Sequence, residues 1–360
     1  MRATALAFAM LLYALPAGAA NYYMAPTGSD SNPGTLDKPW KSYTRAQNTL
    51  KAGDTLFARG GTYLKCAGGC SRGWKRSGTS AAPITFRNYP GETPVFDGGR
   101  GTSGAQGYFL ILQNISYLNV IGLKMTKWCS QWGDGIVQFE GDTHHIDING
   151  NNFDDNGCDQ LDHHVYVEEG PSHDNKIRNN HFGKVSGAAI HFYHAPTGYN
   201  YDIYNNFFNV NAGQSASASY PAVILRHEAK NIKIRHNTFV NSPIDAGGST
   251  VDNIQVYNNV AYCDARMPCL EKWSSAEVFE GNNVWYATDG SPFDGHSKST
   301  TKGNIYTNPL LESLTSHKLS TSSPAIDKAN PTWAAGIGND YDGQNRPMGA
   351  AADMGADEVR

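Results

Sequence analysis

Four short runs in the middle of the chain alternate between apolar and other residues with a period of two: "GIVQF" (135–139), "HVYVE" (164–168), "AIHFY" (189–193) and "AVILR" (222–226). A two-residue period places successive side chains on opposite faces, so each run predicts a β-strand. A phrase of fixed form recurs alongside them: an apolar residue, two variable ones, usually Asn, one variable residue, then an apolar one. It reads "VIGLKM" at Val120, "INGNNF" at Ile148, "IRNNHF" at Ile177, "IYNNFF" at Ile203, "IRHNTF" at Ile234, "VYNNVA" at Val256 and "FEGNNV" at Phe279. The Asn positions 151, 180, 206, 237, 259 and 282 are spaced by 29, 26, 31, 22 and 23 residues. Short strands at such intervals, without long helical patterns, predict a solenoid of coils stacked into parallel sheets. An Asn at one bend per coil tolerates a left-handed backbone, and its amide can bond to the next coil.

An open solenoid needs covered ends. One helix is expected from Ser42 to about Leu50, where it would plug the amino-terminal end. The segments "GTLDKPWKS", "AGDTLFARGGTY" and "APITFRNYPGETPVFDG" resemble the cap and first coils of secreted right-handed parallel β-helix proteins of the pectate-lyase-like superfold. The ending "SPAIDKANP" through "MGADEV" resembles their closing segment. The resemblance implies an all-β, right-handed parallel β-helix with a helical cap over about 21–65 and a closing segment over about 320–360, all in one domain from 21 to 360. That superfold hosts lyases, hydrolases, epimerases and adhesins, so it specifies fold rather than activity.

Residues 1–20 combine Arg2, an apolar run from Ala3 to Leu15 and a small-residue ending, the form of a signal peptide, with a mature chain from Asn21. A secreted or periplasmic protein is therefore expected, and six cysteines in such a chain favour disulfides over metal ligands. Cys66–Cys70, Cys129–Cys158 and Cys263–Cys269 are candidate pairs, although sequence does not fix the pairing. Charged residues make up 17% with a net charge of −4, which offers no basic field for nucleic acid. No later segment is suited to spanning a membrane, and a monomer is expected.

Placing Ile136, Val165, Ile190 and Val223 inward sends Val167, Phe192 and Leu225 inward as well. The outer face is then expected to carry Phe139, His164, Tyr166, Glu168, Ala189, His191, Tyr193, Ile224 and Arg226, while His163 falls in the preceding turn. Coils lie about 4.8 Å apart, so two His, two Tyr, one Glu and one Arg would share one outer sheet. The insertions 194–201 and 211–220 would wall a groove across it.

These groups suit β-elimination on a uronate polysaccharide, which requires a base for the C5 proton, a neutraliser for the carboxylate and an acid for O4. His191 or His164 is the expected base, Tyr166 or Tyr193 the acid, and Arg226 the neutraliser. Glu168, which would orient a histidine, Lys184 and His194 are expected at the substrate. "VILRHEAKNIKIRHNTF" resembles the strand–Arg–His segment of β-helix alginate lyases and chondroitinase B, which implies a proton-transfer role for Arg226. Those lyases carry a Lys base and calcium ligands on the preceding coil, where this chain reads "GAAIHFYHAP". Two other readings stand beside elimination. One is hydrolysis by carboxylates among Asp154, Asp155, Asp159 and Asp162, most of which a turn role explains. The other is glycan binding without chemistry, and a C5-epimerase would need the same groups as a lyase. Calcium at a coil bend is compatible with the Asp and Asn content, but no EF-hand loop or repeated Gly-Asp turn is visible, so no metal or cofactor is expected. The expected partner is an acidic polysaccharide.

Overall fold

The computed structural model describes residues 18–64, 73–100, 107–129, 135–193, 198–214, 219–248, 250–264, 268–272, 277–295 and 302–359. Their strands form three parallel sheets of ten, nine and nine strands, in which each strand pairs with its counterpart one coil away. The first sheet runs from Asn21–Met24 to Val278–Gly281, the second from Gly61–Leu64 to Val284–Ala287, and the third from Gly73–Trp74 to Phe293–Gly295. This is the all-β parallel β-helix that the repeat predicts.

The repeated Asn forms a buried ladder between the first and second sheets. The Asn206 Oδ1 accepts the Asn180 N–H at 2.9 Å and the Asn180 side-chain amide at 3.0 Å, and Asn206 donates in turn to Asn237 Oδ1 at 3.0 Å. The same pattern continues from Asn237 to Asn259 and on to Asn283 and Asn304. Two details differ from the sequence reading. The left-handed residue is the one before the ladder: Gly150, Asn179, Asn205, His236, Asn258 and Asn282 have φ of 65, 55, 53, 53, 56 and 51°. The last coil is also displaced by one residue, because Val256 pairs with Glu280, which puts Asn283 rather than Asn282 on the ladder. Glu280 thereby enters the interior, where its carboxylate accepts from Asn304 at 2.7 Å and from the Trp285 indole at 3.3 Å. A buried carboxylate so bonded satisfies the requirement that an apolar residue would have avoided.

The apolar residue after each ladder Asn stacks along the axis. Phe153, Phe182, Phe208 and Phe239 lie 5.0, 4.9 and 4.8 Å apart, nearly parallel. The helix Tyr43–Thr49 starts at Ser42, whose hydroxyl accepts the Arg45 N–H at 3.3 Å, and Tyr43 meets Phe96 and Phe109 edge-on. The carboxy-terminal segment lies along the side of the coils: Trp333 stacks on Tyr257 at 3.9 Å, and the buried Arg346 guanidinium donates to the Asp353, Gly355 and Asp357 carbonyls. Disulfides join Cys129 to Cys158 and Cys263 to Cys269, while Cys66 and Cys70 lie outside the described residues. The first bridge ties two successive coils just ahead of the third sheet. Residues 1–17 are also outside the described set, and among the described residues no helix is long and apolar enough to cross a membrane.

Candidate active site

The outer face of the third sheet is set by register. Gln138, Tyr166, His191, Ile224, Asp245 and Glu271 align on successive strands. A second row holds Glu168, Tyr193 and Arg226, whose N–H groups donate to the Phe139, Val167 and Phe192 carbonyls at 3.0, 3.0 and 3.1 Å. Val165, Ile190 and Val223 on the alternate positions face the core, as the pattern predicts.

Tyr166, His191 and Tyr193 form one aromatic group. Ring centroids are 5.3 Å apart between Tyr166 and His191, 5.2 Å between His191 and Tyr193, and 6.4 Å between the two tyrosines. His227 meets Tyr193 edge-on at 4.9 Å. Arg226 grips Asp245 with its two terminal nitrogens at 2.8 and 2.5 Å, and it also donates to the Leu225 carbonyl at 3.1 Å. That grip uses the end of the guanidinium fork. The Nε–H and the second hydrogen on Nη2 form the remaining edge, the one able to meet another carboxylate side-on. Glu168 accepts a hydrogen bond from the Gln138 amide.

Four placements correct the sequence reading. His164 is fully buried inside the coil, with its ring near Phe153 and Phe182, Nδ1 3.2 Å from the Asn156 amide and Nε2 3.1 Å from the Gly183 carbonyl. His163 takes the outward place, 4% exposed, its ring stacked on Tyr166 and its Nε2 2.9 Å from His191 Nδ1. The cause is in the backbone: the consecutive N–H groups of His164 and Val165 both donate to the next coil, to Ala188 and Ala189, at 3.2 and 2.8 Å. A regular parallel strand alternates its donors, so two in succession mark a bulge that inverts facing at the strand's start. Ala189 is drawn into the core with its neighbours for the same reason. Phe139 also turns inward, because Val137 pairs with Val165 and Phe139 with Val167, which leaves Gln138 outside. Burial pushes both His163 and His164 down to about 3, and in His164 the hydrogen bond to the Gly183 carbonyl opposes it.

Lys184 lies at the turn after the second sheet. Its ammonium is 4.0 Å from Asp155, whose carboxylate Arg100 holds at 2.6 Å. The other aspartates of that region brace turns: Asp154 accepts the Lys184 N–H, Asp159 the Leu161 N–H and Asp162 the Cys158 N–H. His194 falls outside the described residues, as do parts of both insertions at 194–197 and 215–218. Asp245 and Glu271 were missed by the sequence reading; continuing the outward row past Ile224 by one coil reaches Asp245 in "PIDAGG". Elsewhere, His317, Asp342 and Asp357 converge closely enough for a metal ion, but the Lys318 ammonium already bridges the two carboxylates at 2.5 and 3.1 Å.

A family model described as the Pel9A-like, right-handed β-helix region matches residues 22–227, more than half of the chain. The chain belongs to that family. A pectate lyase, PEL9 of Emericella nidulans, is 40% identical over 80 residues, 22% of this chain and 19% of that protein. The matched stretch spans less than a fifth of the length of the curated relatives. Among solved structures, an alginate lyase from Paenibacillus sp. str. FPU-7 superposes with a TM-score of 0.59 at 17% identity, covering 80% of this chain and 95% of the other. A glycoside hydrolase superposes with a TM-score of 0.62 at 10% identity, covering 80% and 96%. At such identities these likenesses are likenesses of fold, and the fold is common to lyases and hydrolases.

Proposed function

We propose that the chain is a secreted lyase that cleaves a uronic-acid-containing polysaccharide by β-elimination. The observation that carries this reading is the grouping of Tyr166, His191, Tyr193 and Arg226 on three adjacent strands of one outer face. In the reaction a base takes the C5 proton, the C4–O4 bond breaks as the C4–C5 double bond forms, and an acid returns a proton to O4. The aromatic group of Tyr166, His191 and Tyr193 contains the proton-transfer groups, and the side edge of Arg226 receives the uronate carboxylate as charge develops on it. Asp245 holds the guanidinium in the plane this requires. Glycan-binding support comes from the clustered rings, which offer apolar faces beside polar edges. The pectate lyase relative and the alginate lyase fold neighbour agree with an acidic glycan substrate.

The test is incubation of the mature protein with alginate, pectate, glucuronan and glycosaminoglycans, followed by mass spectrometry and ultraviolet absorbance. Products lighter by one water than the hydrolytic fragments, absorbing through the new double bond, are expected. Saturated products would instead favour hydrolysis, for which Asp245 and Glu271, cross-strand neighbours on the outer face, are the carboxylates to examine. Binding with no cleavage of any of these polymers would sink both enzymatic readings.

A further inference from the structure

One backbone amide determines where the protons sit on two histidines. The Ala188 N–H donates to His163 Nδ1 at 2.9 Å. An amide N–H can only donate, so Nδ1 of His163 must present its lone pair, and the neutral ring holds its proton on Nε2. That nitrogen lies 2.9 Å from His191 Nδ1. His163 therefore donates, His191 Nδ1 accepts, and the neutral His191 ring holds its own proton on Nε2. Protonating His191 at Nδ1 would set its new N–H against the Nε2–H of His163. His163 could relieve that clash only by giving up the Ala188 bond or its own proton. Its burial against Tyr166 and the strand's bulge leaves the ring little room to turn over.

We propose that His163 is a positioning residue that locks His191 as an Nε2–H donor, so that His191 binds the uronate carboxylate rather than abstracting the C5 proton. This rests on the lyase reading for the identity of the ligand, although not for the tautomer. The base is then a tyrosine: the phenolate of Tyr193 or Tyr166 takes the proton from C5, and the same or the other phenol returns one to O4, so protons balance within the group. Tyr193 is the better placed, since it occupies the position on its coil that Arg226 occupies on the next. His163, Tyr166 and Tyr193 are titratable groups that face His191, and its neighbour on the following strand is the apolar Ile224. The low pKa of His163 agrees with a ring held neutral.

The experiment is a long-range proton–nitrogen NMR spectrum of the folded protein labelled at histidine, read alongside kcat and KM. In the wild type, His163 and His191 should both show the Nε2–H pattern at pH 7, and His191 should stay neutral to a pH at which free histidine is charged. In His163→Phe, which keeps the ring but neither nitrogen, His191 should spread over both tautomers and accept a proton at higher pH. kcat should then fall by about tenfold or more, as losses of orienting partners commonly cost. His163→Gln, whose amide can accept from Ala188 and donate to His191, should restore the Nε2–H pattern and most of kcat. An Nδ1–H or charged His191 in the wild type at pH 7, or an unchanged His191 in His163→Phe, would overturn the lock. An intact lock without turnover of any uronate polymer would support the tautomer assignment and defeat the elimination reading, so the two failures are separable.

Discussion

At the scale of single residues, His163 and His164 show how one backbone irregularity exchanges a core group for a surface group. His164 fills the coil interior beside the stacked Phe153 and Phe182 and bonds to Asn156 and Gly183. His164→Ala should cost about 2–4 kcal/mol from the cavity and the orphaned partners. It should leave kcat per folded molecule near the wild-type value, whereas His191→Ala should lower kcat with little loss of stability. Denaturant unfolding and active-site titration together check both; a collapse of kcat in folded His164→Ala would return that residue to the chemistry. Arg226 gives a second contrast. Asp245→Asn keeps the shape of its partner but weakens the charge that holds the guanidinium, so KM for a uronate polymer should rise several-fold. An unchanged KM would mean that Arg226 does not meet the carboxylate.

At the scale of elements, each turn between the first and second sheets divides its labour between two adjacent positions. The first adopts the left-handed backbone and the second builds the amide ladder. Asn206→Leu would leave the Asn180 N–H and the Ile177 carbonyl buried without partners, and it interrupts the ladder on both sides. A loss of about 2–5 kcal/mol is expected, at about 1–3 kcal/mol for each orphaned group. Asn179→Gly, at a φ of 55° that glycine adopts freely, should shift the unfolding midpoint far less. Equal losses would mean that the backbone conformation, rather than the ladder, holds the coils. Much of this was legible in the sequence, since a repeated Asn flanked by apolar residues has few other physical uses. What was not legible is register within a coil. The alternation in "GIVQF" fits either facing because Ile136, Val137 and Phe139 are all apolar, and the neighbouring strand decides between them. "FEGNNV" offers two Asn and an apolar Phe279, so its offset depends on a buried Glu280 that no apolar pattern would select. The bulge at His163 is likewise a matter of hydrogen bonding between coils, and nothing local in "DHHVYV" signals it.

At the scale of the whole molecule, buried neutral histidines make the fold sensitive to acid. Burial lowers His163 and His164 to about 3, and it lowers His236, where the Arg346 guanidinium 2.7 Å away adds like charge, well below its ordinary value. In the unfolded chain these rings titrate near 6.5. Between that pH and about 3 the unfolded state binds more protons than the native state, so stability is full above about 6.5 and falls on acidification. Each ring contributes up to about 1.4 kcal/mol per pH unit across that window. Asp340, Asp353 and Glu358 are shifted upward by burial and act in the opposite sense, but only where carboxylates begin to take up protons. Histidine should therefore dominate between pH 6.5 and 5. His236 lies under the closing segment, against Arg346 and Asp353, so that segment should loosen before the coils do. Hydrogen exchange across this range should show amides of residues 325–359 losing protection at higher pH than those of the Asn ladder, with the thermal midpoint falling steadily. A midpoint flat from pH 7 to 5 would show that these histidines are not held neutral in the fold. A uniform loss of protection would place the weak point in the coils rather than in their covering.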